Sequence, residues 1–130
     1  MRCRQILIKH AGSKRATNVE RKPVTRSLDV AMGLALSTAR KLFDGDAFVP
    51  LCRQISECPS KLKGGDLAGD VGWLDREKGA DVVQDQNKTG ASTAPVLPST
   101  VLAAAFALKP DEMSDLVVSE EGIHILQRIA

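Results

Sequence analysis

An α+β domain, with helices packed against a mostly antiparallel sheet, is the architecture this sequence predicts. Three observations carry it. Apolar and turn patterns give the order β-α-α-β-α-β-β, without the regular alternation of a parallel α/β sheet. The last two strands are joined by a short turn, as antiparallel neighbours are. With 130 residues, 43% of them hydrophobic and 26% charged, the chain is long and apolar enough to bury a core. Residues 1–130 are expected to form one domain.

Each element has a local cause. Gln5-Ile6-Leu7-Ile8-Lys9 is short and rich in branched apolar residues, which predicts a strand. Residues 11–26 are polar and basic and are broken by Gly12, Ser13, Asn18 and Pro23, so they predict a loop. Ser27 and Asp29 supply a helix start. Leu28, Met32, Ala35, Ala39 and Leu42 follow at helical spacing, and Asp44-Gly45 is the stop. Asp46 is the expected cap of a second helix, on which Phe48, Leu51, Cys52 and Ile55 share a face; Pro50 falls in the first turn, where proline is tolerated.

The stretch Pro59–Asp70 is too rich in glycine for a long regular element, and Val71-Gly72-Trp73-Leu74 reads as a short strand. Residues 77–97 are polar without a sustained period and read as a flexible insertion. Ser99 is the expected cap of a third helix through Val101, Leu102, Ala105, Phe106 and Leu108, ended by Pro110. Leu116-Val117-Val118, a four-residue turn Ser119–Gly122, and Ile123–Gln127 predict a hairpin.

Charge is unevenly placed. Residues 1–26 hold eight basic side chains and one acid, Glu20, a local charge of +7; the net charge is +2, so the remainder carries −5. Such a field attracts phosphate on nucleic acid, on a nucleotide or on a modified protein, or it marks a solvated arm. Other classes are excluded more directly. No apolar run approaches the roughly 18 residues of a membrane helix, and the first residues lack the apolar length of a signal peptide. Cys3, Cys52 and Cys58 make an odd count with no Cys-x-x-Cys pair, which argues against a disulfide framework or zinc ribbon and for a reducing compartment. His10 and His124 alone do not build a zinc site, so no metal is expected. With 3% aromatics and no Tyr, base-stacking platforms are lacking, and nucleic acid is not the expected partner.

A set of blocks then falls into a recognisable order: Ile6-Leu7-Ile8-Lys9-His10, Ser13-Lys14-Arg15, Ile55-Ser56-Glu57-Cys58-Pro59-Ser60, Gly64-Gly65-Asp66-Leu67, Gly72-Trp73-Leu74, Ala105-Phe106-Ala107-Leu108-Lys109, Glu112-Met113-Ser114 and Glu121-Gly122-Ile123-His124-Ile125. The sequence resembles a parvulin-type peptidyl-prolyl cis/trans isomerase of the branch directed at phosphorylated Ser/Thr-Pro sites. The resemblance implies a four-stranded antiparallel sheet surrounded by four helices, and a monomer acting in the cytoplasm or nucleus without cofactor or metal.

It also implies a site. The polar floor of a parvulin site joins two histidines, a cysteine and a hydroxyl. By position these are Gln5, which stands where the first histidine belongs, then His124, Cys58 and Ser119. Gln5 and His124 are each in phase with an inward leucine, Leu7 and Leu126, so they share a sheet face. Glutamine both donates and accepts, but it does not titrate as an imidazole does. Cys58 is read as a non-covalent hydrogen-bonding group, since the adjoining Glu57 supplies no positive charge. The proline pocket implied is Leu67, Leu97 and Val101, with Trp73 at the rim, and the phosphate clamp is Lys9, Lys14 and Arg15. Expected substrates are proteins with phosphorylated Ser/Thr-Pro sites. The alternative is a binding module of the same fold with little catalysis, because Gln5 replaces a histidine.

Overall fold

The first strand, β1 (Arg2–Ile8), lies at the centre of the molecule; a computed structural model describes residues 1–74 and 97–130. Its alternation sends Ile6 and Ile8 to one face and Cys3, Gln5 and Leu7 to the other. The strand begins three residues earlier than predicted, because Arg2 and Cys3 pair with β2 (Asp70–Trp73) and Cys3 with the end of β4 (Gly122–Arg128). The short β3 (Val117–Ser119) completes an antiparallel sheet of order β2-β1-β4-β3.

Helix α1 (Leu28–Phe43) starts where predicted, with the Ser27 hydroxyl accepting from the Val30 N–H at 3.2 Å. Its buried stripe is Ala31, Ala35, Thr38 and Leu42. The expected stripe is therefore rotated: Leu28 is 45% exposed, while Met32 and Ala39 flank the core. Small residues at 31 and 35 let the helix axis lie close to the sheet, which sets the rotation. Helix α2 (Phe48–Ile55) buries Phe48, Leu51 and Cys52 as expected, but Ala47 occupies its cap position. Asp46 instead donates its N–H to the Lys41 carbonyl, closing the end of α1. Together α1 and α2 cover Ile6, Ile8, Ile123 and Ile125 in one core layer.

The glycine-rich stretch forms two 3₁₀ turns, Pro59–Leu62 and Gly65–Leu67, that lead into β2. Helix α3 (Ser99–Phe106) packs Val101 and Ala105 on the opposite sheet face, against Cys3, Val71, Leu74, Leu97 and Leu126. Pro98, not Ser99, sits at its cap, and it ends at Phe106, four residues before Pro110. Three α-helices, not four, are present among the described residues. No helix among them is long and apolar enough to cross a membrane.

The hairpin connection is two residues, Glu120-Glu121, because Ser119 and Gly122 pair with each other as strand ends. Gly122 has φ +141°, and a Cβ there would run into the Ile8 carbonyl, so glycine is what permits β4 to start against β1. Of the expected insertion, residues 77–96 lie outside the described residues, whereas Leu97 is buried in the core.

Candidate functional site

The face of the sheet that carries α3 also carries the polar residues. β1 and β4 pair Gln5 with Leu126 and Leu7 with His124, so Gln5 and His124 are diagonal neighbours on that face. His124 Nδ1 lies 2.8 Å from Gln5 Oε1. An amide oxygen only accepts, so Nδ1 carries the proton and donates. Nε2 is left as an acceptor, and the Ser119 hydroxyl, 2.6 Å away, donates to it. At the other end of the glutamine, Nε2 donates to Cys58 Sγ at 3.4 Å. The Ser60 hydroxyl donates to the same sulfur at 3.1 Å.

One hydrogen-bonded chain results: Ser119, His124, Gln5 and Cys58, with Ser60 at the far end. Gln5, Cys58, Ser60 and His124 are all buried. Each is held by its neighbours. Ser119 ends β3, and its oxygen also accepts from the Glu121 N–H at 3.1 Å. Cys58 is placed by the segment before it, which docks on the end of β1: the Glu57 N–H donates to Leu7 O at 2.7 Å, and the Leu7 N–H to Ser56 Oγ at 3.1 Å. Gln5 is placed by Gly69, whose carbonyl accepts from the Gln5 N–H at 2.9 Å. At φ +87°, a Cβ on Gly69 would lie 2.8 Å from Gln5 O and 2.9 Å from Cys52 Sγ, so only glycine approaches this closely.

Burial pushes the His124 imidazole down to about 4, so it is neutral at pH 7. Burial likewise pushes the Cys52 thiol up to about 11 and the Cys3 thiol up to about 12, which leaves both as protonated packing residues. The floor of the site therefore carries no imidazolium at pH 7. Among the described residues no three His, Cys, Asp or Glu side chains converge as a metal site would require.

The other expected site residues are distributed differently. Leu67 and Trp73 are about half exposed, and the Arg2 guanidinium lies over the Trp73 ring at 6.0 Å. Leu97 and Val101 are core residues, packed with Leu126 beneath the same face. Lys14 and Arg15 are exposed in the loop after β1, and Lys14 Nζ is 3.8 Å from Glu120 Oε1. Lys9 is engaged within the loop: its ammonium donates to the carbonyls of Arg15 at 2.9 Å and Thr17 at 2.8 Å. Ser60 was not singled out as a site residue from the sequence. Its position two residues after Cys58, within the first 3₁₀ turn, is the signal that marks it.

A family model described as "Rotamase: PPIC-type PPIASE domain" matches residues 6–130. The chain is 30% identical over 132 residues to the peptidyl-prolyl cis-trans isomerase ESS1 of Saccharomyces cerevisiae, covering 99% of this chain and 65% of that protein. It is 31% identical over 135 residues to the buparvaquone-resistant peptidyl-prolyl cis-trans isomerase NIMA-interacting 1 of Theileria annulata, covering 100% of this chain and 80% of that one. The described fold is similar to the solution structure of TbPIN1, with a TM-score of 0.74 at 20% identity over 100% of this chain and 96% of that one. The peptidyl-prolyl isomerase ESS1 from Candida albicans gives 0.73 at 24% identity, over 99% of this chain and 62% of that one. The chain spans less than two thirds of the Saccharomyces relative's length.

Proposed function

The chain belongs to the PPIC-type peptidyl-prolyl isomerase family, and from that premise we propose that it rotates the amide bond preceding proline in protein substrates, favouring bonds that follow phosphorylated serine or threonine. The observation that carries this reading is the buried hydrogen-bonded chain from Ser119 through a neutral His124 and Gln5 to Cys58.

The reaction breaks no bond, so its demands are electrostatic. Rotation faces a barrier of roughly 18–20 kcal/mol because twisting removes amide resonance. At the twisted geometry the nitrogen regains lone-pair character and the carbonyl oxygen loses charge. A catalyst must hold that state better than either planar form. A dry site without ions does so, because a nearby cation would stabilise the more charged planar carbonyl. The neutral His124 removes the imidazolium that would otherwise supply one. Cys58 Sγ accepts from Gln5 and Ser60, and its part in the reaction is read as non-covalent hydrogen bonding. The proline ring is assigned to Leu67 and Trp73, both about half exposed, over the buried Leu97 and Val101.

Preference for phosphate is supported by two exposed cations, Lys14 and Arg15, at the tip of the loop. A phosphate brings about −1.5 to −2 charge, and arginine grips it bidentately. Lys9 acts from behind, holding the Arg15 carbonyl. Residues 1–130 carry this activity as a monomer, on phosphorylated Ser/Thr-Pro proteins of the cytoplasm or nucleus, and the reaction calls for no cofactor.

A second reading is favoured by one observation. An amide at position 5 has a fixed donor end and a fixed acceptor end, and a site so fixed binds the same peptides as a module with little rotation. Exchange spectroscopy of proline-containing peptides, phosphorylated and plain, separates the two. Faster cis/trans exchange, larger for the phosphopeptide and lost as a preference in Lys14→Ala/Arg15→Ala, is expected. Binding without accelerated exchange would establish the module instead.

A further inference from the structure

The loop between β1 and α1 runs from Lys9 to Ser27, and a connection that long without regular structure needs internal ties to present side chains at fixed points. Besides the Lys14 N–H donated to the Glu120 carbonyl at 2.8 Å, the ties at the two ends of the loop meet at one buried carboxylate. Glu57 Oε1 accepts from the Lys9 N–H at 2.8 Å and from Arg26 Nη1 at 2.6 Å. The Glu57 side chain is 8% exposed and that of Arg26 30%. Arg26 Nη1 also donates to the Lys9 carbonyl at 2.8 Å, and the Arg26 carbonyl accepts from the Ala11 N–H at 2.8 Å. The two ends of the loop are thus clasped by Arg26, and the clasp is anchored by Glu57.

From that anchor a continuous path reaches the tip. Glu57 fixes the backbone of Lys9, and the Lys9 ammonium holds the carbonyls of Arg15 and Thr17. In the other direction Glu57 is covalently next to Cys58 and is itself tied to Leu7. Neither Glu57 nor Arg26 belongs to the hydrogen-bonded chain that forms the site floor. A substrate whose phosphate and prolyl amide are neighbouring groups requires a set distance between cationic tip and sulfur, and displacements near 1 Å are costly for such two-point recognition.

We propose that Glu57 and Arg26 are specificity-determining positioning residues, which fix the spacing between the Lys14–Arg15 tip and the Cys58 end of the site. The inference rests on the phosphate reading above. It separates two roles for basic residues in this region: Lys14 and Arg15 meet the ligand, whereas Arg26 is spent on the protein's own carboxylate.

Steady-state kinetics with matched phospho-Ser-Pro and Ser-Pro peptides test it in the full chain. Arg26→Ala is expected to lower the phospho-to-plain ratio of kcat/KM by about tenfold, with the loss in KM for the phosphopeptide and not in kcat. Glu57→Gln, nearly isosteric and still able to accept from Lys9, is expected to lose less, and Arg26→Lys to recover part of the ratio. A general structural defect would instead depress both peptides together, and that result, in the Glu57→Gln variant, would overturn the inference. So would an unchanged ratio in Arg26→Ala when Lys14→Ala/Arg15→Ala abolishes it. If the unmutated protein has no preference, the phosphate reading fails first and takes this inference with it.

Discussion

Acid should destabilise this protein through His124 before its carboxylates are protonated. Unfolded, the imidazole titrates near 6.5; folded, burial holds it at about 4. Above pH 6.5 the ring is neutral in both states, and its contribution to stability is fully present. As pH falls from 6.5 toward 4 the unfolded chain takes up a proton that the folded chain refuses, so stability is lost across that window. The gap corresponds to about 3 kcal/mol, at a slope of up to about 1.4 kcal/mol per pH unit. For a domain of this size that is a fall in Tm of about 12 °C. The refusal has a structural reason. His124 is fully buried, so a charged imidazolium there would lose its hydration, which is how burial opposes the second ring proton. Thermal unfolding of the unmutated protein and of His124→Gln at several pH values between 7.5 and 4.5 isolates the term. The variant is expected to be less stable at pH 7.5 but to have a flatter profile between 6.5 and 4.5. Parallel profiles would refute the argument.

Other substitutions probe the same frame. Gln5→Leu removes the acceptor for His124 Nδ1–H at 2.8 Å and should cost about 1–3 kcal/mol in chemical unfolding, with a changed imidazole ¹⁵N spectrum for His124. Cys58→Ser should retain more isomerase activity than Cys58→Ala or Cys58→Asp, because a hydroxyl still accepts from Gln5 and Ser60; equal and complete loss in the Ser and Ala variants would argue for a nucleophile. Gly122→Ala should destabilise by about 2 kcal/mol or more, read as a lower denaturation midpoint, since it adds a Cβ against the Ile8 carbonyl at φ +141°.

Much of the fold is legible because its signals are local. Ser27 as a cap, the helical faces of α1 and α2 in outline, the branched residues of β1 and the hairpin before His124 all follow from neighbours a few positions apart. Where those readings slip, a longer-range contact has overridden them. Asp46 closes α1 because its N–H finds Lys41, and Leu28 is left exposed because Ala31 and Ala35 let α1 approach the sheet. Ser119 and Gly122, plausible as turn residues, become paired strand ends.

The site divides along the same line. By itself the sequence determined which residue types stand at positions 5, 58, 119 and 124, and that Gln5 and His124 point to one face. It also marked a basic segment after the first strand. Only the tertiary structure decided their connections: that Gln5 faces His124 with its oxygen and Cys58 with its nitrogen, that Ser60 joins at the sulfur, and that Lys9 and Arg26 serve the loop itself. The reason is separation along the chain. The His124–Gln5 bond spans 119 positions and the Arg26–Glu57 bond 31. Strand register and loop closure choose such partners, and those depend on the whole molecule being packed at once.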